Sequence, residues 1–119
     1  MEVVVDLAVG GVHLEQRDDV GRFAVRARRG HPGHGEDEGA LGTLAAALSL
    51  HDARTVDPAG DVLVPPAAVR RLATEAALEE GRPLDPGWEA GFAGMLEYAA
   101  DKGWIADDGA IRAHLVWGE

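Results

Sequence analysis

The chain reads as an α+β domain, and three observations predict that class. Residues 2–29 alternate apolar and polar side chains around two turn signals, the two-residue period of strands. Three later stretches carry apolar residues at the three- and four-residue spacing of helix faces. The region from Asp85 to Trp117 then holds all three tryptophans, the only tyrosine and one of the two phenylalanines, marking an aromatic helix that runs into a hairpin.

Residues 2–29 predict a three-stranded antiparallel meander. With Gly10-Gly11 as a two-residue loop, Val9 pairs with Val12, Leu7 with Leu14 and Val5 with Gln16. A second turn at Asp18-Asp19-Val20-Gly21 sets Leu14 against Val25 and Val12 against Ala27. Both registers gather the apolar residues on one face. Glu2, Asp6, His13, Glu15, Arg17, Arg22, Arg26 and Arg28 take the other. A sheet with one apolar face requires a cover.

Residues 30–39 are rich in Gly, Pro, His and acid, and predict a flexible loop. Ala40–Leu50 follows with Leu41, Leu44, Ala45 and Leu48 at helical spacing. Residues 54–64 predict two short strands about the turn Asp57-Pro58-Ala59-Gly60. Pro65-Pro66 opens a helix that runs to about Glu80 and stops at Gly81, with Val69, Leu72, Ala73 and Ala76 inward. Residues 82–85 link it so tightly to the next helix that the two become spatial neighbours. In that next helix Asp85 is the N-cap, Pro86 the first helical residue and Gly103 the terminator, with Trp88, Phe92, Met95, Leu96 and Ala99 on one face. Trp104–Ala106, the turn Asp107-Asp108-Gly109 and the alternating Ala110–Trp117 predict a hairpin or strand that completes or extends the sheet. The expectation is one domain over residues 1–119: the meander covered by about three helices.

Composition excludes several chemistries. The absence of cysteine removes disulfides, thiolate metal sites and cysteine nucleophiles. The net charge is −10, and residues 1–30 balance five acids with five arginines, so the excess lies in the rest of the chain. Phosphate backbones are repelled by that half, which argues against nucleic acid. Acids follow Met1 where a signal peptide needs lysine or arginine, and the longest apolar run, Ala40 to Leu50, is too short for a membrane span. A cytoplasmic location without membrane contact is the expectation.

Four groups are candidates for chemistry. His31, His34, Glu36, Asp37 and Glu38 supply imidazoles and carboxylates to a divalent metal, the alternative to having no cofactor. Ser49, His51 and Asp52 offer the residue types of a triad, although they lie within four residues and lack a nucleophile elbow. His13 with Arg26, and His114 with Arg112, offer cationic pairs for an anion. Gly87, Gly91 and Gly94, continued by Tyr98, form a stripe beside the apolar face of the aromatic helix. Each interior glycine costs about 0.5–1 kcal/mol relative to alanine, so a close approach must offset it. Internal packing, a subunit seam also involving Trp117, or a ligand against bared backbone would each do so.

The order helix, short link, helix, hairpin over residues 66–117 resembles the tail of a winged-helix domain. That resemblance implies a recognition helix and a wing at Asp107-Asp108-Gly109. Glu89, Glu97 and Asp101 against a single Lys102 are the wrong charge for a DNA-reading helix. The functional expectation is a small acidic binding module that engages itself or a protein partner through its aromatic C-terminal region. A small enzyme or metal protein built on histidines and carboxylates in a cleft is the alternative, and a winged-helix-like regulator a third reading.

Overall fold

The computed structural model describes residues 1–28, 37–55 and 61–118, without the side chains of 37–41 and 118. Strands β1 (Glu2–Asp6), β2 (Gly11–Glu15) and β3 (Ala24–Arg28) are followed by α1 (Asp37–Ser49), then β4 (Arg54–Thr55) and β5 (Asp61–Val64). Helices α2 (Pro66–Glu79) and α3 (Trp88–Asp101) precede the last strand, β6 (Ile111–Gly118). The result is α+β, with the six strands forming one mixed sheet in the order β2-β1-β3-β6-β5-β4.

The antiparallel meander does not form. β1 and β2 are antiparallel, but β3 crosses to the far side of β1 and runs parallel to it. The turn expected at residues 18–21 is replaced by a longer connection, residues 16–23. Gln16 enters it at φ 54° and its carbonyl accepts the Asp19 N–H at 3.0 Å. The predicted apolar face survives this rearrangement. Leu14, Val3 and Val25 share one row across the three strands, and Val12, Val5 and Ala27 the next, so β1 simply inserts between partners expected to touch. The first hairpin also slips. Its tip spans residues 7–10, closed by Gly10 N–H to Asp6 O at 2.7 Å and by Ala8 N–H to the Asp6 carboxylate at 2.9 Å. Val5 therefore pairs with Val12 instead of Gln16, a shift by an even number of residues, which keeps the paired strand residues on their expected faces, while Val9, expected opposite Val12, sits in the tip and is 79% exposed.

β6 takes a central place, parallel to β3 and antiparallel to β5. Ile111, Ala113 and Leu115 point into the core as the alternation predicts. The hairpin expected before it reduces to a single antiparallel bridge between Ile105 and Ile111, about the turn at 106–110. A last strand set between two others also departs from the projecting wing of the winged-helix resemblance.

All three helices bury into one cluster on the same sheet face. Leu44, Ala47 and Leu48 come from α1, Val69, Leu72 and Ala73 from α2, and Trp88, Phe92 and Met95 from α3. Each helix closes with the same hydrogen-bond pattern around a left-handed residue: Asp52 (φ 60°), Gly81 (φ 78°) and Gly103 (φ 78°). The next amide reaches back to Leu48, Ala77 and Ala99 carbonyls respectively, at 3.0, 3.1 and 2.8 Å. The helix expected at Ala40 begins three residues earlier, at Asp37, and α3 begins at Trp88 rather than Pro86. Asp85 caps the turn leading into α3, its carboxylate accepting the Gly87 N–H at 2.9 Å. α2 and α3 are tied by Arg70, which grips Glu89 at 2.9–3.1 Å and stacks over the Phe92 ring at 5.2 Å.

The opposite sheet face carries the charged set. Arg26 bridges Glu2 at 3.0 and 3.2 Å, Arg28 reaches Glu15 at 3.0 Å, and Arg112 holds Asp61 at 2.6 Å. Val4 belongs to this face, in register with His13 and Arg26, yet is 0% exposed. Long arginine stems can cover apolar surface while their heads stay wet.

Candidate functional site: a groove beside the third helix

An apolar concavity lies against α3, and three separate segments build it. Trp88, Phe92, Met95 and Ala99 turn the helix toward the core. The adjacent stripe of Gly91, Gly94 and Tyr98 forms one wall of a groove of about 700 Å³, with Met95 and Ala99 at its base. Val20, Gly21, Arg22 and Phe23, from the connection that replaced the expected turn, form the facing wall. Trp104, Ile111 and Arg112 close one end.

That facing wall is held from behind. Arg17, whose side chain is only 10% exposed, makes a two-pronged bridge to Glu80 at the end of α2, at 2.7 and 2.9 Å. The Arg17 carbonyl accepts the Trp88 indole N–H at 2.8 Å. Hydrogen bonds from Arg17, and then from Arg82, hold the Glu80 carboxyl down at about 2. A planar guanidinium donating twice to one carboxylate fixes orientation as well as distance.

Trp104 is placed by the end of α3. Its N–H bonds to the Ala99 carbonyl at 2.8 Å, and its own carbonyl accepts from Arg112 at 2.7 Å. The indole meets the Tyr98 ring edge-on, centroids 5.9 Å apart at 72°. Tyr98 and Trp104 remain 55% and 46% exposed, two neighbouring aromatics turned partly to solvent in a chain with few of them. Lys102, the only lysine, lies 5.4 Å from the Tyr98 ring centre.

The glycine stripe divides in two. A Cβ on Gly91 would meet the Val20 methyls at 3.5 Å, an ordinary contact, and one on Gly87 would meet the Asp85 carboxylate at 3.6 Å. A Cβ on Gly94 would meet nothing within 4 Å. Val20 thus packs beside Gly91 at a distance a methyl would tolerate, whereas Gly94 opens onto the groove. Trp117 is partly buried against the main core on the last strand.

The other candidates are dispersed. His31, His34 and Glu36 lie outside the described residues, while the Asp37 and Glu38 backbones form the first turn of α1 rather than a loop. Among the described residues no three His, Asp or Glu side chains gather to hold a metal ion. Ser49 donates its hydroxyl to the Ala46 carbonyl at 2.9 Å, and His51 Nδ1 sits 3.1 Å from Arg71, so each has a partner outside the suggested triad. His13 bonds Glu15 at 2.8 Å, and His114 lies 3.6 Å from Asp61 with three strand spacings between the two histidines. A smaller concavity of about 310 Å³ does bring His13 near Glu75, Glu79 and Glu80, between β2 and α2. Arg26 and Arg112 are each committed to a carboxylate, Glu2 and Asp61, rather than paired with His13 and His114 for an anion.

No known protein family, curated protein or solved structure matches the chain. No helix among the described residues is long and apolar enough to cross a membrane. Sequence reasoning found the groove's glycine wall and Tyr98 but missed Val20, Arg22, Phe23 and the orientation of Trp104. The available signal was an aromatic residue directly after a helix-ending glycine, six residues beyond the only tyrosine.

Proposed function

We propose that this protein is a binding module that holds an apolar group in the groove beside α3. The observation that carries the reading is a groove of about 700 Å³ flanked by two part-exposed aromatic rings and by bare backbone at Gly94. Ligand sites of roughly 300–1,000 Å³ are typically apolar with a few polar groups at their margins, and this one has that composition. Its size suits a small molecule better than a protein surface, since stable protein interfaces engage about 800 Å² on each partner. The self-association and protein-partner readings point to the same aromatic region, and a second copy is the competing occupant.

The direct test uses an environment-sensitive apolar dye, anilinonaphthalene sulfonate, on the folded protein. Saturable, blue-shifted emission is expected, and Gly94→Leu, which fills the groove, should abolish it while leaving the circular dichroism unchanged. An unaltered dye response in the Gly94→Leu variant would remove the groove as the site. A dimer seen by sedimentation and lost in the same variant would identify the occupant as a second copy instead.

A further inference from the structure

Resting on that reading, we infer that the groove selects an apolar monocarboxylate, its body against Gly94, Met95, Tyr98 and Trp104 and its carboxylate at Arg22. The chain carries a net −10, yet no acid lines the groove, whereas two arginines do. Arg112 is committed to Asp61 through its Nε at 2.6 Å. Arg22 is different: its side chain is 77% exposed and its ion-pair contact, with Asp19, is long at 3.7 Å. A guanidinium at the rim, held only loosely, is available to a carboxylate and presents the paired donors that a carboxylate accepts.

The rest of the lining suits the same molecule: Phe23, Met95, Ala99 and Ile111 are apolar, and Tyr98 and Trp104 bring rings that each carry one polar group. Lys102 over the Tyr98 ring adds a second positive charge on that side. A single anionic head matches this rim better than a cation, which would meet Arg22 there with Lys102 close by on the Tyr98 ring. It also matches better than a polyanion, which the acidic remainder of the surface would repel. Because the cationic rim is small, one charge is what it can complement.

Three probes with ten-carbon chains separate the outcomes: decanoate, 1-decanol and decyltrimethylammonium, each below its aggregation limit, followed by amide and indole NMR shifts. Decanoate is expected to shift Gly91, Gly94 and the Trp104 indole saturably, and to bind more tightly than either of the others. Arg22→Glu should weaken decanoate by roughly tenfold or more, the scale of one charged hydrogen bond, and leave decanol unchanged. Arg22 is exposed and anchors no buried group, so this variant should fold as the parent does. Equal binding of the three probes, or decanoate binding indifferent to Arg22→Glu, overturns the carboxylate assignment while leaving the groove as an apolar site. Failure of every probe to shift groove resonances overturns both.

Discussion

At the scale of single residues, the structure separates side chains that hold the groove from those that merely border it. Trp88 belongs to the first kind. Its ring stacks on Phe92 with centroids 5.0 Å apart, and its indole N–H reaches the Arg17 carbonyl across 71 residues of chain. Trp88→Phe keeps the apolar ring and deletes the donor, so a loss of about 1 kcal/mol is expected in urea unfolding. The variant should also loosen residues 17–23, visible as faster amide exchange there. Gly94 belongs to the second kind. A methyl at this position meets nothing within 4 Å, so Gly94→Ala should raise stability by about 0.5–1 kcal/mol through helix propensity. A destabilised Gly94→Ala protein would mean that something occupies that space. The stripe itself was legible in the sequence, because interior glycines at helical spacing need a reason. Which glycine faces a neighbour and which faces open space was not, because Val20 reaches Gly91 only through the crossing of β3.

At the scale of elements, the connection between β2 and β3 is the part most dependent on distant contacts. Its clamp is the Arg17–Glu80 pair, with Arg82 also on Glu80 at 3.1 Å. Glu80 is depressed to about 2 from an ordinary carboxylate value of 4.5. A carboxylate depressed by folding stabilises the native state fully above its unfolded value, and that contribution disappears as pH falls toward the folded one. Stability should therefore decline between about pH 5 and pH 2. Glu2, Glu15, Asp61, Glu89 and Asp108 add to the same slope, each lowered chiefly by a hydrogen bond: from Arg26, His13, Arg112, Arg70 and the Ala110 amide respectively. Glu80→Gln should flatten part of that decline without abolishing it, measured as the urea midpoint at pH 7 against pH 2.5. An identical acid slope in the variant would show that the clamp contributes nothing. The helix ends were better served by local signals. Gly81 and Gly103 announce the terminators of α2 and α3 in the sequence, whereas Asp52 fills the same role for α1 without a glycine to mark it.

At the scale of the whole molecule, one apolar cluster joins three helices to five of the six strands, and its largest fully buried side chain is Phe92. Phe92 stacks on Trp88 and lies beneath the Arg70 guanidinium that ties α2 to α3. Phe92→Ala should cost about 3–5 kcal/mol, the usual range for emptying a buried aromatic site. The loss should appear as a lower urea midpoint with one cooperative transition for both the helical signal and tryptophan fluorescence. Two separated transitions would show that α2 and α3 do not share a core with the sheet.

The sequence by itself determined most of the inward-facing set, Val9, Ala45 and Ala76 being expected inward and found exposed or half-buried. Side-chain alternation and helical spacing are local properties, and an even slip of register, as between β1 and β2, cannot move a residue to the other face. The α+β class, the three helices, β4 to β6 and the inward sets of α3 and β6 follow from that, as do Val69, Leu72 and Ala73 of α2, where Ala77 rather than Ala76 is buried beside them. Only the tertiary structure decided which strands are neighbours. Leu14 beside Val25 and Leu14 beside Val3 beside Val25 satisfy the same alternation, and nothing local distinguishes them. The choice falls to long-range contacts: Arg17 on Glu80, Trp88 on the Arg17 carbonyl, Val20 on Gly91. Those same contacts carry residues 20–23 to the side of α3 and make the groove. The site and the failure of the meander thus have one cause, a crossing that sequence periodicity does not encode.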